Sequence, residues 1–463
     1  MKKNNKIKII LFAVALIANL LMFFYLYFSR GQQFFNPLVQ GTDQAEYGRI
    51  AINLAERHSF SLSQSAPYIT DSARTPLFPF FLTVSYLLTG GFILATLLNI
   101  LISALTAIIV FEIAMTITHR LNIAVFSGII FACLPYKAYL SSMAMADILF
   151  TFFFSLFVLL FLKIISKEIN FNFKNVVLVG AFLGLSVLTR PVTQFFIIIP
   201  IFVLLLFFKE EIKKRFMMSV LMIAAFVFVL SPWLIRNEIH FGELFLSSVG
   251  RYHMYVSYFG PWQAYKDGVS RDEKNSEILK YIEEKYGKDA MYNITASTEL
   301  ARLAKEKILA HPLSYAFFHI SATPVYFLNN GMLLTLREAF DLKLPNINIA
   351  QKVFALDFDG LRESVLGSGI LFIIFFFVSY FLTALKSGLG ILWALGYLRR
   401  NFIVGIFAIL TMAYFSLIVG FEGHARFRIP IEPLLIVFFT LAIAEIWNFI
   451  MGLGNLSNQV KID

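Results

Sequence analysis

Two acidic residues near the start of the chain have the type and the spacing that acid–base chemistry requires. Asp43 and Glu46 lie three positions apart in the segment 41–55 (GTDQAEYGRIAINLA), so on a helix they would share one face. Thr42 would cap that helix, and Glu46 would lie near its first turn. A carboxylate held there can act as a base toward a substrate hydroxyl group. The same spacing is equally typical of an ordinary capped amphipathic helix.

Two further charged residues adjoin long apolar segments. Asp147 begins an apolar run in the segment MADILF, where the helix dipole would also favour an acidic side chain. Arg190 lies between two apolar segments with almost no loop, in LTRPV. Charged residues at membrane depth are rare and are candidates for function. We therefore treat Asp147 and Arg190 as candidate functional residues.

Two more arginines precede or follow apolar stretches at the depth of lipid phosphates. Arg74 opens the segment RTPLFP, and Arg236 follows PWLI, a position typical of an aromatic belt. A guanidinium group can bind a phosphate with two parallel hydrogen bonds. Snorkelling toward lipid headgroups explains both positions equally well.

The elements that must position these residues are membrane-spanning helices. Of the 463 residues, 58% are apolar and 15% are charged, whereas a soluble domain carries roughly a quarter charged residues. The apolar residues form runs of about 20, the length that crosses hydrocarbon as a helix. We therefore predict an all-α integral membrane protein, a polytopic bundle of about ten to twelve transmembrane helices. The predicted spans are 9–28, 91–117, 121–140, 148–166, 175–190, 191–208, 216–234, 366–398, 401–420 and 429–449.

Three segments leave the number of spans open. Residues 76–90 are apolar but contain Pro76 and Pro79, and they either span the membrane or lie at its interface. Twelve spans result if 311–335 also crosses the membrane and if 366–398 forms a helical hairpin. Neither change alters the sidedness of the other loops.

The short loops separate by charge into two sets. Basic residues are concentrated at 2–8, 119–120, 163–174, 209–215 and 399–400. By the positive-inside rule this side, with the N-terminus, is cytoplasmic. The other face then receives the first external loop 29–90, the stretch 235–365 and the loop 421–428. The formal charge of +10 is thus a feature of membrane topology, and we expect no nucleic-acid partner.

The same pattern divides the chain into three parts. An N-terminal transmembrane module covers 1–234 and includes the external loop 29–90. A small extracytoplasmic helical insertion covers 235–365, because 264–288 is highly charged and 296–310 has helical spacing of apolar residues. A C-terminal transmembrane module covers 366–463.

A cluster of cationic residues lies where the positive-inside rule would not place it. The segment EGHARFRIPIEP begins at Glu422 and contains His424, Arg426 and Arg428, between two spans on the non-cytoplasmic side. Membrane orientation does not explain these charges. An anionic ligand bound at that face would explain them.

These motifs occur in an order that resembles bacterial glycosyltransferases of the GT-C superfamily, family 39 type. That family includes relatives of the protein O-mannosyltransferases and of the lipid A aminoarabinose transferase. The resemblance covers most of residues 1–240 and 400–450. The motifs that carry it are TDQAEY at 42–47, RTPLFP at 74–79, LTRP at 188–191, PWLIRN at 232–237 followed by FG at 241–242, and ARFRIPIEP at 425–433.

The resemblance implies an inverting glycosyltransferase that uses a polyprenyl-phosphate-linked sugar on the extracytoplasmic face of a bacterial cytoplasmic (inner) membrane. An acid of the first external loop, here Asp43, would be the catalytic base. Glu46 and Asp147 would support it or help to hold a divalent metal ion, for which Asp147 or His424 would be ligands. The donor phosphate would be bound within the set Arg74, Arg190, Arg236, His424, Arg426 and Arg428. Some members carry two adjacent acids in this loop, whereas Gln44 follows Asp43 here, which weakens the case for a metal there.

Two other functions fit the same composition. An O-antigen ligase or polymerase also handles polyprenyl-linked sugars on this face, and a transporter of lipid-linked sugars would also be helical and basic. The acidic first loop favours the transferase. The sequence leaves open whether the acceptor is a glycan, a lipid or a protein.

Overall fold

The described part of the chain is all-α, with one isolated β-bridge between Ser61 and Thr70. This computed structural model describes residues 2–287, 290–342, 359, 362–363, 370–420 and 424–459, so Glu422 lies outside it. The helices are α1 Lys2–Arg30, α2 Thr42–Arg57, α3 Leu77–Thr89, α4 Ile93–Thr118, α5 Leu121–Ala132, α6 Pro135–Ser141, α7 Asp147–Ile165, α8 Phe173–Thr189, α9 Ile198–Phe207, α10 Ile212–Phe241, α11 Val249–His253, α12 Gly260–Asp267, α13 Arg271–Tyr286, α14 Ile294–Ala310, α15 Pro312–Ser321, α16 Thr323–Leu328, α17 Gly331–Glu338, α18 Ile370–Tyr397, α19 Phe402–Val419, α20 Ala425–Arg428 and α21 Glu432–Gln459.

Seven helices within these residues are long and apolar enough to cross a membrane, and the bent pair α5–α6 makes up to eight. Pro135 begins the second helix of this pair, which is bent by 56°. The prediction of a polytopic helical membrane protein is confirmed. The seven are Asn4–Arg30, Ile93–Thr118, Asp147–Ile165, Ile212–Phe241, Phe372–Tyr397, Phe402–Val419 and Ala425–Met451.

The predicted count of about ten spans included segments that form shorter helices. The segments 175–190 and 191–208 correspond to the apolar helices Phe173–Thr189 and Pro191–Phe207, which fall in the 10–17-residue class together with Leu77–Thr89. The hairpin considered as an alternative for 366–398 is not formed by the described residues, since α18 is continuous for 28 residues from Ile370 to Tyr397. The span considered at 311–335 is also wrong, because prolines near the starts of α15 and α16 divide it into short helices.

Phenylalanine packing holds the apolar bundle together around α7. Phe154 makes edge-on contacts with Phe196 and Phe415, each with ring centroids 5.1 Å apart. Phe161 packs against Phe407 at 4.7 Å. Such aromatic pairs contribute about 0.5–1.5 kcal/mol beyond their buried area. They fix α7 against α19, and with it the position of Asp147 at the start of α7.

The loops with clustered basic residues meet at one end of the bundle. Glu112 near the end of α4 accepts from Lys8 at 2.6 Å and from Lys163 at 2.8 Å. Arg400 pairs with Glu445 at the same end, where the Tyr397 hydroxyl group reaches the end of α4. The opposite end therefore holds the C-termini of α1, α8 and α10 and the N-termini of α4, α7 and α21.

The predicted helical insertion docks onto that opposite end. Helix α10 continues past the predicted boundary at 234 to Phe241, and α11 to α17 follow. His319 of α15 contacts the carbonyl oxygen of Leu417 at 2.7 Å, at the end of α19. Ser248 donates its backbone N–H to the carbonyl of Ser72 at 2.9 Å. The insertion thus touches both the first external loop and the C-terminal spans.

Helices α8 and α10 approach closely because glycine lines their interface. A Cβ added at Gly180 would overlap the carbonyl oxygen of Met222, and one at Gly184 would lie 2.9 Å from Cβ of Val229. Small residues allow transmembrane helices to pack backbone against backbone. This contact holds the C-terminal end of α8, where Arg190 follows, against α10.

We predict that Gly180→Ala lowers the thermal unfolding temperature of the purified protein, because α8 must move away from α10. Overpacking of this kind costs about 1–3 kcal/mol. Gly388→Ala in α18 is the matched control, since nothing lies within 4 Å of a Cβ there. Equal unfolding temperatures for the two variants would contradict the close approach.

Candidate active site

The first turn of α2 presents its two carboxylates to one arginine. The helix begins at Thr42 with Gly41 in the capping position, so the expected capping by Thr42 is wrong. The carbonyl oxygen of Gly41 accepts from the backbone N–H of Ala45 at 2.9 Å. The helix therefore begins one residue earlier than it would with Thr42 as the capping residue. Asp43 and Glu46 lie on one face, as their spacing predicts. Arg74 donates from Nη2 to Asp43 at 2.7 Å and from Nε to Glu46 at 2.6 Å.

A second arginine reaches Asp43 from the far end of the chain. Arg426 in α20 donates from Nη1 to Oδ2 of Asp43 at 2.7 Å, while Arg74 occupies Oδ1. Burial alone would raise the pKa of Asp43. The charges of Arg74 and Arg426 outweigh burial and hold the pKa of Asp43 well below its ordinary value. Asp43 is therefore ionised and hydrogen-bonded on both oxygens.

The third acidic residue pairs with the third arginine. Asp147, at the start of α7, accepts from Arg190, which directly follows α8. The Asp147 side chain is 2% exposed and that of Arg190 is 19% exposed. The ring of Phe427 lies 5.2 Å from the Arg190 guanidinium and 4.9 Å from that of Arg426. This ring joins the two ion-pair groups into one site.

We call this group the arginine–carboxylate cluster. It contains three carboxylates and three guanidinium groups, so its formal charges balance. Two of its polar atoms, Arg426 Nε and Asp147 Oδ2, are buried without a hydrogen-bond partner among the described residues. The members of the cluster are Asp43, Glu46, Arg74, Asp147, Arg190 and Arg426.

His424 lies beside the cluster but is neutral. Its Nδ1 accepts from the backbone N–H of Arg426 at 3.3 Å, which caps the short helix α20. Burial, followed by the charges of Arg426, Arg337 and Arg190, lowers the pKa of His424 to about 3. An uncharged imidazole contributes little to phosphate binding through charge.

Arg428 points away from the cluster into the protein. Its Nε donates to Glu432 at 2.8 Å, and its Nη1 donates to the carbonyl of Phe327 at 2.7 Å. Lys386 of α18 also donates to Glu432 at 2.7 Å. Arg428 is 4% exposed, and these contacts tie α18 to α21. The structure thus places Arg428 with a separate ion-pair group.

Arg236 lies at one edge of the site, in an aromatic surrounding. Its Nη1 donates to the carbonyl of Asp71 at 2.9 Å. Its guanidinium lies 4.4 Å from the ring of Trp233 and 5.1 Å from that of Phe60. Nη2 of Arg236 is buried and has no partner within the described chain. Arg236 therefore keeps one donor available close to the turn that carries Arg74.

A groove opens beside Arg236 between α2, α3, α8 and α10. Its volume is about 460 Å³. The walls are mostly apolar, and Phe80 on α3 is 47% exposed at its margin. Residues that line it include Leu54, Phe60, Leu77, Leu188, Val229 and Trp233.

Two further residues at this site, Asp71 and Tyr292, were not predicted from the sequence. Asp71 accepts on Oδ2 from the backbone N–H groups of Ala73 and Arg74. Tyr292 of the insertion donates to Oε1 of Glu46 at 2.6 Å. The spacing of Asp71 before Arg74 is a signal for such a turn. No local pattern connects Tyr292 with Glu46 across 246 positions.

The side chains of the described residues around this cluster do not fit a divalent metal ion. No group of three His, Cys, Asp or Glu residues suited to a metal occurs among the described residues. Both oxygens of Asp43 carry arginine hydrogen bonds. Three guanidinium groups close to the three carboxylates would repel a cation. These described side chains therefore do not support the metal site considered at Asp147 or His424.

With this geometry established, known proteins provide a comparison. The family model described as dolichyl-phosphate-mannose-protein mannosyltransferase matches residues 73–235, a segment that contains Arg74, Asp147 and Arg190. No curated protein matches the chain significantly.

Solved structures of two membrane transferases have a similar architecture. The oligosaccharyltransferase of Archaeoglobus fulgidus tethered with an acceptor peptide aligns with TM-score 0.51 and 14% identity, covering 98% of this chain and 51% of that chain. The same enzyme, AglB, in complex with an inhibitory peptide and a dolichol-phosphate gives 0.47 and 15% identity, covering 96% and 51%. ArnT from Cupriavidus metallidurans bound to undecaprenyl phosphate gives 0.41 and 15%, covering 90% of this chain and 77% of ArnT.

The fold therefore resembles that of the archaeal oligosaccharyltransferase, and the family model matched over residues 73–235 supports the resemblance to GT-C glycosyltransferases that the motifs carry. The chain spans about half the length of the oligosaccharyltransferase it resembles.

We predict that Arg190→Gln destabilises the protein, because it leaves the buried Asp147 carboxylate unpaired. Breaking one side of a buried ion pair costs about 3–5 kcal/mol. The double variant Asp147→Asn/Arg190→Gln should recover most of the loss, since it leaves no unpaired charge. Thermal unfolding of the three proteins in detergent provides the measurement. A double variant no more stable than Arg190→Gln would show that the pair is not coupled in this way.

Proposed function

We propose that this protein is an inverting glycosyltransferase that moves a sugar from a polyprenyl-phosphate-linked donor to a hydroxyl group of an acceptor. The observation that carries the proposal is the position of Asp43 between Arg74 and Arg426. A carboxylate base and a cationic site for a leaving phosphate are the two groups that this reaction needs. The matched family model is named for a lipid-phosphate sugar donor of the same chemical class.

The donor phosphate would bind to the guanidinium groups of the cluster. Arg426 Nε is buried without a partner in the described residues, and leaving such a donor unsatisfied costs free energy. A phosphate oxygen would satisfy it. Arg74 and Arg426 can bind this oxygen and still contact Asp43, because guanidinium has five N–H donors. As the sugar–phosphate bond breaks, the same groups would stabilise the negative charge on the leaving phosphate.

The polyprenyl chain would enter through the apolar groove beside Arg236. The groove is lined by Leu77, directly after the turn that carries Arg74, and by Leu188, two residues before Arg190. A lipid lying there would therefore have its phosphate end next to the cluster. The unpartnered Nη2 of Arg236 would contact the phosphate at the mouth of the groove.

Asp43 would act as base only after the donor has bound. In the resting arrangement two arginines hold its pKa well below its ordinary value, which makes it a weak base. A donor phosphate draws part of their positive charge away, so the pKa of Asp43 would rise toward a useful range. The acceptor hydroxyl would then give its proton to Asp43 while its oxygen attacks the anomeric carbon. The sugar–phosphate bond breaks on the opposite side, and the polyprenyl phosphate leaves with the electron pair, which inverts the sugar configuration.

The acceptor would approach from the side of the helical insertion. Tyr292 of the insertion contacts Glu46 at 2.6 Å, so this segment borders the cluster. The archaeal oligosaccharyltransferase was solved with an acceptor peptide, and a protein, a glycan or a lipid with a free hydroxyl group are the acceptor classes for this chain.

The site would face the non-cytoplasmic side of a bacterial cytoplasmic membrane. Support comes from the gathering of Lys8, Lys163 and Arg400 at the opposite end of the bundle, as the positive-inside rule requires for a cytoplasmic end. The N-terminus would then lie in the cytoplasm.

We predict that Asp43→Asn abolishes sugar transfer while the protein still folds, because asparagine keeps a hydrogen-bond acceptor but is not a base. Loss of a general base lowers turnover by about 100-fold or more. Purified protein in nanodiscs would be mixed with membrane extract and a panel of undecaprenyl-phosphoryl monosaccharides labelled in the sugar. The release of undecaprenyl phosphate and the label that leaves the lipid phase are measured.

Glu56→Gln is the control variant, since Glu56 lies on the same helix, half-exposed and hydrogen-bonded to Tyr86. It should transfer sugar at the wild-type rate. Full activity of Asp43→Asn would overturn the assignment of the base. Binding of the labelled lipids without any turnover by the wild type would favour the transporter alternative.

A further inference from the structure

The turn that carries Arg74 is organised by a buried carboxylate outside the cluster. Oδ2 of Asp71 accepts from the backbone N–H of Ala73 at 3.1 Å and from that of Arg74 at 2.8 Å. Charged acceptors make hydrogen bonds about twice as strong as neutral ones. Asp71 therefore fixes the backbone from which the Arg74 side chain extends toward Asp43 and Glu46.

Three other parts of the protein also form hydrogen bonds with the backbone or side chains of this turn. Arg236 of α10 donates to the carbonyl of Asp71 at 2.9 Å. The insertion contributes Ser248, whose hydroxyl lies 2.9 Å from that of Ser72. Thr75 donates to the carbonyl of Thr189 at 3.0 Å, next to Arg190. The turn is thus the point where the first external loop, α8, α10 and the insertion meet.

We infer that Asp71 is a positioning residue of this site: its carboxylate holds the turn so that Arg74 lies between Asp43 and Glu46. The effect on sugar transfer rests on the proposed function, whereas the effect on the turn does not. The bridge between Asp43 and Glu46 requires both Nε and Nη2 of Arg74, so a small shift of its backbone would break at least one hydrogen bond.

Burial of the Asp71 carboxylate lowers the free energy of unfolding, which indicates that its charge serves a function. Asp71 is 3% exposed, and its Oδ1 has no hydrogen-bond partner among the described residues. Burial raises the pKa of Asp71 to about 6, against the lowering effects of the Arg74 backbone hydrogen bond and of the Arg74 charge. Glu46 raises the pKa further and Arg236 lowers it. Tyr292 also faces this group.

The raised pKa of Asp71 determines how its ionisation changes the free energy of unfolding. The folded-state pKa lies above the ordinary value of 3.8, so the folded protein binds the proton more tightly than the unfolded chain does. Ionised Asp71 therefore costs stability, and the cost grows as the pH rises from 3.8 to about 6 and is constant above. Asp71→Asn removes this cost.

The first test compares Asp71→Asn with the wild type across pH. At pH values above about 6 the variant should be at least as thermally stable as the wild type, yet its kcat/KM for a labelled undecaprenyl-phosphoryl sugar should be about tenfold lower. As the pH is lowered, the wild-type kcat/KM should fall to the level of the variant, with a midpoint near pH 6. The variant should lack this acid limb, because it already resembles the protonated residue.

Control variants separate Asp71 from other titratable groups near the site. The donor is a phosphodiester, which does not titrate in this range. In the free protein the pKa of Asp43 is held low and that of His424 is about 3. His58 and His240 line the neighbouring groove, so His58→Gln and His240→Gln should each leave the midpoint unchanged. An acid limb that persists in Asp71→Asn, or that moves in either histidine variant, would overturn the inference.

A second measurement requires no substrate. Hydrogen–deuterium exchange of a peptide that covers 71–76 should be faster in Asp71→Ala than in the wild type, since the N–H groups of Ala73 and Arg74 lose their acceptor. The exposed Asp272→Asn in α13 is the control and should leave this exchange unchanged. Unaltered exchange in Asp71→Ala would overturn the inference directly. If exchange accelerates but the wild type transfers no sugar, Asp71 holds the turn and the proposed function has failed.

Discussion

The two ion pairs of Asp43 are the interaction on which the arrangement of this site depends. They join residues separated by 31 and by 383 positions in the chain. Each ion pair favours one relative position of its two partners, so α2, the turn at Arg74 and α20 constrain one another. Asp147 and Arg190 add α7 and α8 to the same network through the ring of Phe427. Charge balance thus couples helix ends in addition to the packing of the apolar core.

The apolar bundle explains why these helix ends meet at one face. The phenylalanine contacts of Phe154 and Phe161 fix α7 against its neighbours, and the glycine contact at Gly180 fixes α8 against α10. Each helix has a defined length and ends where polar residues begin, which is at the membrane surface. The side chains that follow or precede these ends are therefore brought together without any additional domain. The segment that follows α10 then contacts them through Tyr292, which donates to Glu46.

Much of this could be predicted from the sequence, because apolar runs and the shared face of Asp43 and Glu46 are local patterns. The spacing of Arg428 also predicts that it pairs with a residue on its own helix. Arg428 and Glu432 lie four positions apart and share a helix face, whereas Arg426, two positions earlier, points to a different side. The partners of each charge could not be predicted, since Arg426 and Asp43 are far apart in the chain. The composition left a span at 311–335 open, and the short helices there arise from prolines that divide the segment.

Arginine suits the cationic positions of the cluster because each side chain there can make several hydrogen bonds. Lysine offers a compact charge on a flexible stem, whereas guanidinium offers five donors in a fixed plane. Arg74 uses Nε and Nη2 for two carboxylates, and Arg426 uses Nη1 for Asp43 while its Nε has no partner in the described chain. A lysine with its single nitrogen could not bridge two carboxylates in this planar arrangement and also bind a phosphate. Because the same two arginines contact the proposed base and would contact the leaving group, the basicity of Asp43 would be linked to the presence of the donor.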